Sequence, residues 1–311
     1  MPRHCPVWRI ALAQFNAWRR HLKADTTVEG QKQSLEAFMH QCPELAEKSV
    51  DSVTLTQVDA FINTDKPLRI ASRYQRRCAL IAFFKFCNGQ GWTNTNYAVL
   101  AEIKKRDLPH ELWVPKPRIA ITPDEYNLIM ANTSGFWHYA SAISYWAGLR
   151  LGDVCTLEWQ AITADSIIVM VRKSERPLAL PLKDPIFGHG ALIPIFMEML
   201  ERRQSVSQYC FPSMRERYRI SAQRVHISYE FTDLLKRLGK ARIERAIVPD
   251  KYGDAGFGRR PKHQYLPIYY KCFHCLRHSF AARFKATGRN IEELAKMMSH
   301  ASIETTKGYG T

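Results

Sequence analysis

A chain of 311 residues is longer than one core usually supports, so about two domains are expected. With 46% hydrophobic and 24% charged residues it is neither disordered nor fibrous, and no apolar run nears the roughly 20 residues of a membrane span. The 45 Lys and Arg against 29 Asp and Glu, a net charge of +16, draw it towards polyanions, of which nucleic acid is the commonest in the cytoplasm.

The excess is spread along the chain. Residues 1–115 carry 16 basic and 11 acidic side chains and the remainder 29 and 18, so both parts are positive, as a clamp around DNA would need. At the N-terminus, MPRHCPVWRIALAQF is interrupted by Arg9 and Gln14 and is followed by no small-residue cleavage site, which argues against a signal peptide and for a cytoplasmic, nucleoid-associated protein. Eight cysteines show no framework spacing and are expected reduced, most of them buried.

Residues 6–106 read as helices joined by short polar turns, with no convincing strand. In PLRIASRYQRRCALIAFFKFCNG, Ile70, Tyr74, Cys78 and Ile81 recur at helical spacing and predict an apolar stripe, while Arg69, Arg73, Arg76 and Arg77 fall on another face. Such a face could hold DNA phosphates or simply be solvated. The proline-rich RDLPHELWVPKPRIAITPDE interrupts the pattern and predicts an interdomain linker at residues 114–121, between a helical domain at 1–113 and a second domain at 122–311.

Thr122, Pro123 and Glu125 supply an N-cap, a first-turn proline and an N3 acid, and so start a helix. FWHYASAISYWAGLR is apolar nearly all round and predicts a central helix. SIIVMVRKSERPLALPL predicts a β-hairpin with Lys173 in its turn. Residues 202–262 hold 15 basic and 6 acidic side chains and end in a Gly- and Pro-rich cationic loop with Arg259, Arg260 and Lys262 as candidate DNA contacts. HCLRHSFAARFKATG and NIEELAKMMSH are then two helices split by Gly288, with Asn290 and Glu293 as cap and N3 partner.

Several residues are oddly placed for packing. Arg150 follows an apolar helix and needs an anionic partner; Asp153 can be that partner, or can orient Arg150 towards a phosphate. His274 and Arg277 are three apart and share a helix face. His300 closes the next helix, where the negative end of the dipole would favour its protonated form. Tyr309 stands between Gly308 and Gly310, a poor setting for a packing residue and a good one for a mobile one. Cys272 and Cys275 form C-x-x-C around His274, which raises a zinc or a redox site; zinc wants four ligands and no second pair exists, so no metal is expected.

In this order, AGLRLGDV, HCLRHSFAARF and MMSHASIETTKGY resemble the boxes of the tyrosine recombinases, the phage-integrase family. The 23 residues from Arg277 to His300 and nine from His300 to Tyr309 agree. The resemblance covers residues 120–309 in motif and only the helical architecture before them. It implies a mainly α fold with a small antiparallel sheet (α+β), in a two-domain C-shaped clamp.

The resemblance also implies roles. Tyr309 would attack a DNA phosphodiester to leave a 3′-phosphotyrosyl bond, Arg150 and Arg277 would hold the non-bridging oxygens, His274 and His300 would hydrogen-bond the phosphate and assist proton transfer, Lys173 would protonate the leaving 5′-oxygen, and Asp153 would support the first arginine. The implied partners are double-stranded DNA and a homotetramer on two sites passing through a Holliday junction, compatible with accessory DNA-bending proteins, and with no cofactor. A type IB topoisomerase and a DNA-binding regulator without catalysis are the alternatives. Ser299 stands where the family usually has glycine, and only two residues follow Tyr309 where many relatives have a docking helix, so the chain is truncated or its subunits couple through another surface.

Overall fold

The computed structural model describes residues 5–22, 25–64, 68–104, 119–171, 176–184, 186, 190–203, 206–240, 242–243, 269–300 and 302–307. The chain divides into two units, Met1–Pro115 and Lys116–Thr311, each with its own core. The linker expected at 114–121 lies largely outside the described residues. Its last residue, Ile121, already belongs to the second core.

The first unit is built from α1 (Trp8–Arg20), α2 (Asp25–Gln41), α3 (Leu55–Ile62), α4 (Ile70–Gly89) and α5 (Tyr97–Leu100). Thr54 and Gln57 close a capping box that starts α3. The core is aromatic: Trp8 stacks on Phe83 with centroids 4.6 Å apart and meets Phe84 edge-on, and Phe15, Phe38 and Phe61 are fully buried around them. Each such ring stabilises the fold by about 1.5–3 kcal/mol through burial alone.

The apolar face of α4 differs from the stripe the spacing predicts. Tyr74 and Cys78 are exposed, and the buried face consists of Ala79, Leu80, Phe83, Phe84, Phe86 and Cys87 with Arg73. Of the arginines Arg73 is turned inward, and Arg69, Arg76 and Arg77 are half-buried. Arg73 is buried, donating to Thr64 O at 2.8 Å; Arg76 donates to Phe61 O at 2.8 Å and lies over the Phe61 ring; Arg77 donates to Ala98 O and Val99 O, both at 2.9 Å. Guanidinium groups tolerate burial when carbonyls satisfy their donors, and these three lace α4 to the end of α3 and to α5. Arg69, the N-cap of α4, remains at the half-buried start of the helix.

In the second unit α6 (Pro123–Ala131) opens on the capping box expected of Thr122 and Glu125. The apolar α7 (Gly135–Ala147) runs through the core, followed by the short α8 (Leu151–Cys155). Strand β1 (Ser166–Val171) pairs antiparallel with β2 (Arg176–Pro181), from Ser166 opposite Pro181 to Val171 opposite Arg176. Ile167, Val169 and Val171 face the core while Ile168 and Met170 face out, the alternation a half-buried hairpin requires. Three helices follow the hairpin or its return: α9 (Leu192–Glu201), α10 (Pro212–Arg219) and α11 (Ser221–Arg237).

A second antiparallel pair, β3 (Arg242–Ile243) with β4 (Tyr269–Tyr270), leads into α12 (His274–Ala286), α13 (Ile291–Met297) and α14 (Ile303–Lys307). The architecture is thus mainly α with small antiparallel sheets. Asn290 caps α13 as expected, but through Glu292 N at 2.8 Å; Glu293 is not its capping-box partner because its carboxylate is taken by Arg289. Among the described residues no helix is long and apolar enough to cross a membrane.

Candidate active site

Helix α7 ends at Gly148, whose φ of +67° is a left-handed cap conformation suited to glycine. A Cβ there would also lie 2.6 Å from the Phe280 ring of α12, so the missing side chain lets the two helices close. The next step places Arg150, in extended conformation, as the N-cap of α8, with Asp153 buried in the first turn.

Arg277 projects from α12 into the gap between helix ends and is 1% exposed. Its Nη1 donates to the carbonyl of Gly148, the C-cap of α7, and its Nη2 donates to the carbonyl of Met298, the C-cap of α13. Two helix C-termini thus direct the negative ends of their dipoles at one guanidinium, which makes burial of the charge tolerable. Nη2 also lies 3.0 Å from His300 Nε2.

His300 follows α13 through a turn in which Ser299 N bonds Lys296 O and His300 N bonds Ala295 O, both at 2.9 Å. Ser299 takes φ +47° there, the one positive value for a non-glycine residue among those described. This is a Schellman ending with serine in the position that favours glycine. A guanidinium can only donate, so His300 Nε2 accepts from Arg277 and Nδ1 carries the hydrogen, facing Thr306 Oγ1 at 2.9 Å.

His274 begins α12 one turn ahead of Arg277, and its ring meets that of His278 edge-on with centroids 5.0 Å apart. The structure thus brings Arg277 and His300 into contact, puts Arg150 two residues beyond a carbonyl that Arg277 holds, and sets His274 on the same helix. Lys173, Tyr309, Arg259, Arg260 and Lys262 lie outside the described residues. Nη1 of Arg150 is buried and has no hydrogen-bond partner among the described residues. A buried donor left so costs about 1–3 kcal/mol, which an anionic ligand would relieve.

Sequence reasoning missed the supports. Thr306 is fully buried against His300, although nothing distinguishes it from Thr305 in the chain. Ser279 Oγ accepts from Ile121 N and donates to Ile121 O, each at 2.8 Å, fixing the approach to α6 onto α12. Lys271 donates to both Glu125 oxygens at 2.5 and 2.7 Å in a buried ion pair, so Glu125 at once caps α6 and holds the residue leading into α12. Among the described residues no group of three His, Cys, Asp or Glu side chains could hold a metal ion.

A two-unit, mainly helical chain whose second unit gathers arginine and histidine from α12 and the end of α13 beside the α7–α8 turn defines the class of tyrosine recombinases. The phage integrase family model matches residues 120–311, more than half of the chain, and the protein belongs to that family. Solved structures agree in fold. A lambda integrase dimer bound to a COC′ core site superposes with a TM-score of 0.67 at 16% identity, over 98% of this chain and 77% of that one. A lambda integrase tetramer bound to a Holliday junction gives 0.67 at 17% identity, over 98% and 78%. The Tn1549 transposon integrase with circular intermediate DNA gives 0.64 at 16% identity, over 96% and 95%. A comparison with curated protein sequences finds no match.

Proposed function

We propose that the protein is a site-specific DNA recombinase that cleaves and rejoins strands through a 3′-phosphotyrosyl intermediate and a Holliday junction. The observation that carries this is the buried Arg150 Nη1, without an acceptor among the described residues, two residues beyond the Gly148 carbonyl that Arg277 holds. In this reading Arg150 Nη1 takes a non-bridging oxygen of the phosphate, and Arg277 turns part of its donor set, now held by Gly148, Met298 and His300, to the other.

In this reading the Tyr309 oxygen forms a bond to phosphorus as the P–O5′ bond breaks. The phenol proton leaves to a base in the histidine set, and Lys173 returns a proton to the departing 5′-oxygen. A phenol with an ordinary pKa near 10 needs that cationic surrounding to react at neutral pH. Each well-aimed donor contributes about 3–4 kcal/mol to the transition state. Asp153 supports Arg150, and His274 adds a hydrogen bond to the phosphate. One phosphoester replaces another, so the step needs no ATP, metal or other cofactor.

Both units bind double-stranded DNA, with the 1–113 domain and the catalytic domain at 122–311 joined by the 114–121 linker. Four subunits hold two sites, and the affinity falls steeply with salt because phosphate contacts dominate. Of the residues expected on DNA, Arg69, Arg76, Arg77, Arg259, Arg260 and Lys262 are retained, while Arg73 is buried.

The test uses a library of nicked duplexes with randomised sequence, incubated with the protein and resolved under denaturing conditions. A covalent adduct is expected from the unaltered chain and none from Tyr309→Phe, which still binds DNA. An adduct that persists in Tyr309→Phe removes Tyr309 from its role, and relaxation of supercoiled plasmid without recombinants points to a topoisomerase.

A further inference from the structure

Cys272 and Cys275 bracket His274, and the proposed transesterification uses neither. Cys275 N donates to Cys272 O at 2.9 Å and closes a four-residue turn at the start of α12. Such a turn brings its first and fourth Cα atoms within about 7 Å, and disulfides commonly span about 4.4–6.8 Å. The Cys272 N–H meets Cys275 Sγ at 3.4 Å, so this sulfur points back towards Cys272.

Both residues are thiols, with Cys275 buried and Cys272 half-buried. A hydrogen bond to the Cys272 thiol, followed by burial, pushes the Cys275 thiol well above its ordinary range. By position, the half-buried Cys272 sulfur can meet a small oxidant, and the Cys275 sulfur turned back towards it is the resolving partner, its attack slowed by the raised thiol. Phe273 and His274 lie inside the ring that a bond between the sulfurs would close.

We propose that Cys272 and Cys275 form a reversible dithiol–disulfide site whose state sets the position of His274. The oxidant is a low-molecular-weight disulfide such as oxidised glutathione. The Cys272 thiolate attacks one of its sulfurs and releases one glutathione; Cys275 then attacks the Cys272 sulfur and releases the second. One S–S bond forms in the protein as one breaks in the oxidant, two electrons pass to glutathione, and the two thiol protons end on the two glutathiones. The torsion about the new bond must settle near ±90°, and the His274 backbone, closed inside the ring, adjusts to it. That oxidation suppresses DNA cleavage rests on the recombinase reading above; the site itself does not.

The full chain is equilibrated in glutathione buffers of graded ratio and read in three ways. Alkylation and mass spectrometry of the peptide holding residues 272–275 should pass from doubly alkylated to disulfide-linked. The His274 imidazole resonances should shift with the same midpoint and return on adding dithiothreitol. Adduct formation on nicked duplex should be lost and regained in parallel, whereas Cys272→Ser keeps both its reduced-state resonances and its adduct in the oxidising buffer. A peptide still doubly alkylated at the most oxidising ratio, or His274 resonances that do not move on oxidation, overturns the proposal. Absence of any adduct from reduced protein strikes the recombinase reading instead, and the first two readouts still decide the thiol site.

Discussion

Thr306 holds His300: the threonine hydroxyl lies 2.9 Å from Nδ1 on one side of a ring whose Nε2 accepts from Arg277 on the other. Two contacts at opposite ring nitrogens fix both the tautomer and the orientation of the imidazole. If His300 serves the phosphate as proposed, Thr306→Val should slow adduct formation by roughly 10–100-fold, the range seen when an orienting partner of a functional histidine is lost. Thr306→Ser should retain the rate. Equal rates for Val and Ser in single-turnover cleavage would deny the hydroxyl this role.

The buried ion pair between Lys271 and Glu125 predicts a non-additive double-mutant cycle. Glu125→Gln keeps an acceptor for the α6 cap but leaves the Lys271 charge without its counter-charge, and should cost about 3–5 kcal/mol in urea unfolding. Adding Lys271→Met should recover much of that loss, because a neutral pair of similar volume carries no desolvation penalty. Simple additivity of the two changes would contradict the argument.

Ser299 adopts a left-handed backbone without being glycine. The conformation costs an ordinary residue about 1–2 kcal/mol, partly offset for glycine by its greater freedom when unfolded. Ser299→Gly should therefore raise stability by roughly 0.5–1 kcal/mol. A fall in the thermal midpoint would show that the serine side chain contributes more than its backbone costs.

Burial alone would push the Asp184 carboxyl up, but the Ile186 N–H at 3.0 Å and Arg289 Nη1, which donates to both carboxylate oxygens, outweigh it and hold the group below its usual range. The folded value is lower than the unfolded one, so the stabilisation is complete above about pH 4 and disappears as the pH falls through the folded value. As the pH falls below the unfolded value near about 4, wild type should lose stability more steeply than Asp184→Asn. Parallel curves in acid titrations monitored by circular dichroism would contradict this.

Local signals were legible where one short stretch decides the outcome. The Thr122–Glu125 cap, the hairpin over residues 166–181 and the break at Gly288 each depend on neighbours in sequence, and each forms. The α4 stripe misleads because apolar spacing ignores what a guanidinium can do when carbonyls from α3 and α5 are within reach. Arg73 is buried there while Tyr74 and Cys78 stay exposed. The site boxes could be found by resemblance, but Thr306, Ser279 and Lys271 could not, since their partners are 6, 158 and 146 residues away and only folding reveals them. The cap of α13 was half legible, because Arg289 competes for the glutamate that Asn290 was expected to share.

The position of Arg277 has a practical consequence for anyone seeking an inert but intact protein. This side chain bridges two helix ends and a histidine, so replacing it removes a keystone of the architecture together with any reactive role. Lysine, with a compact head, cannot span all three. If Tyr309 is the nucleophile as proposed, a decoy that occupies DNA without cutting it is better built there than at Arg277.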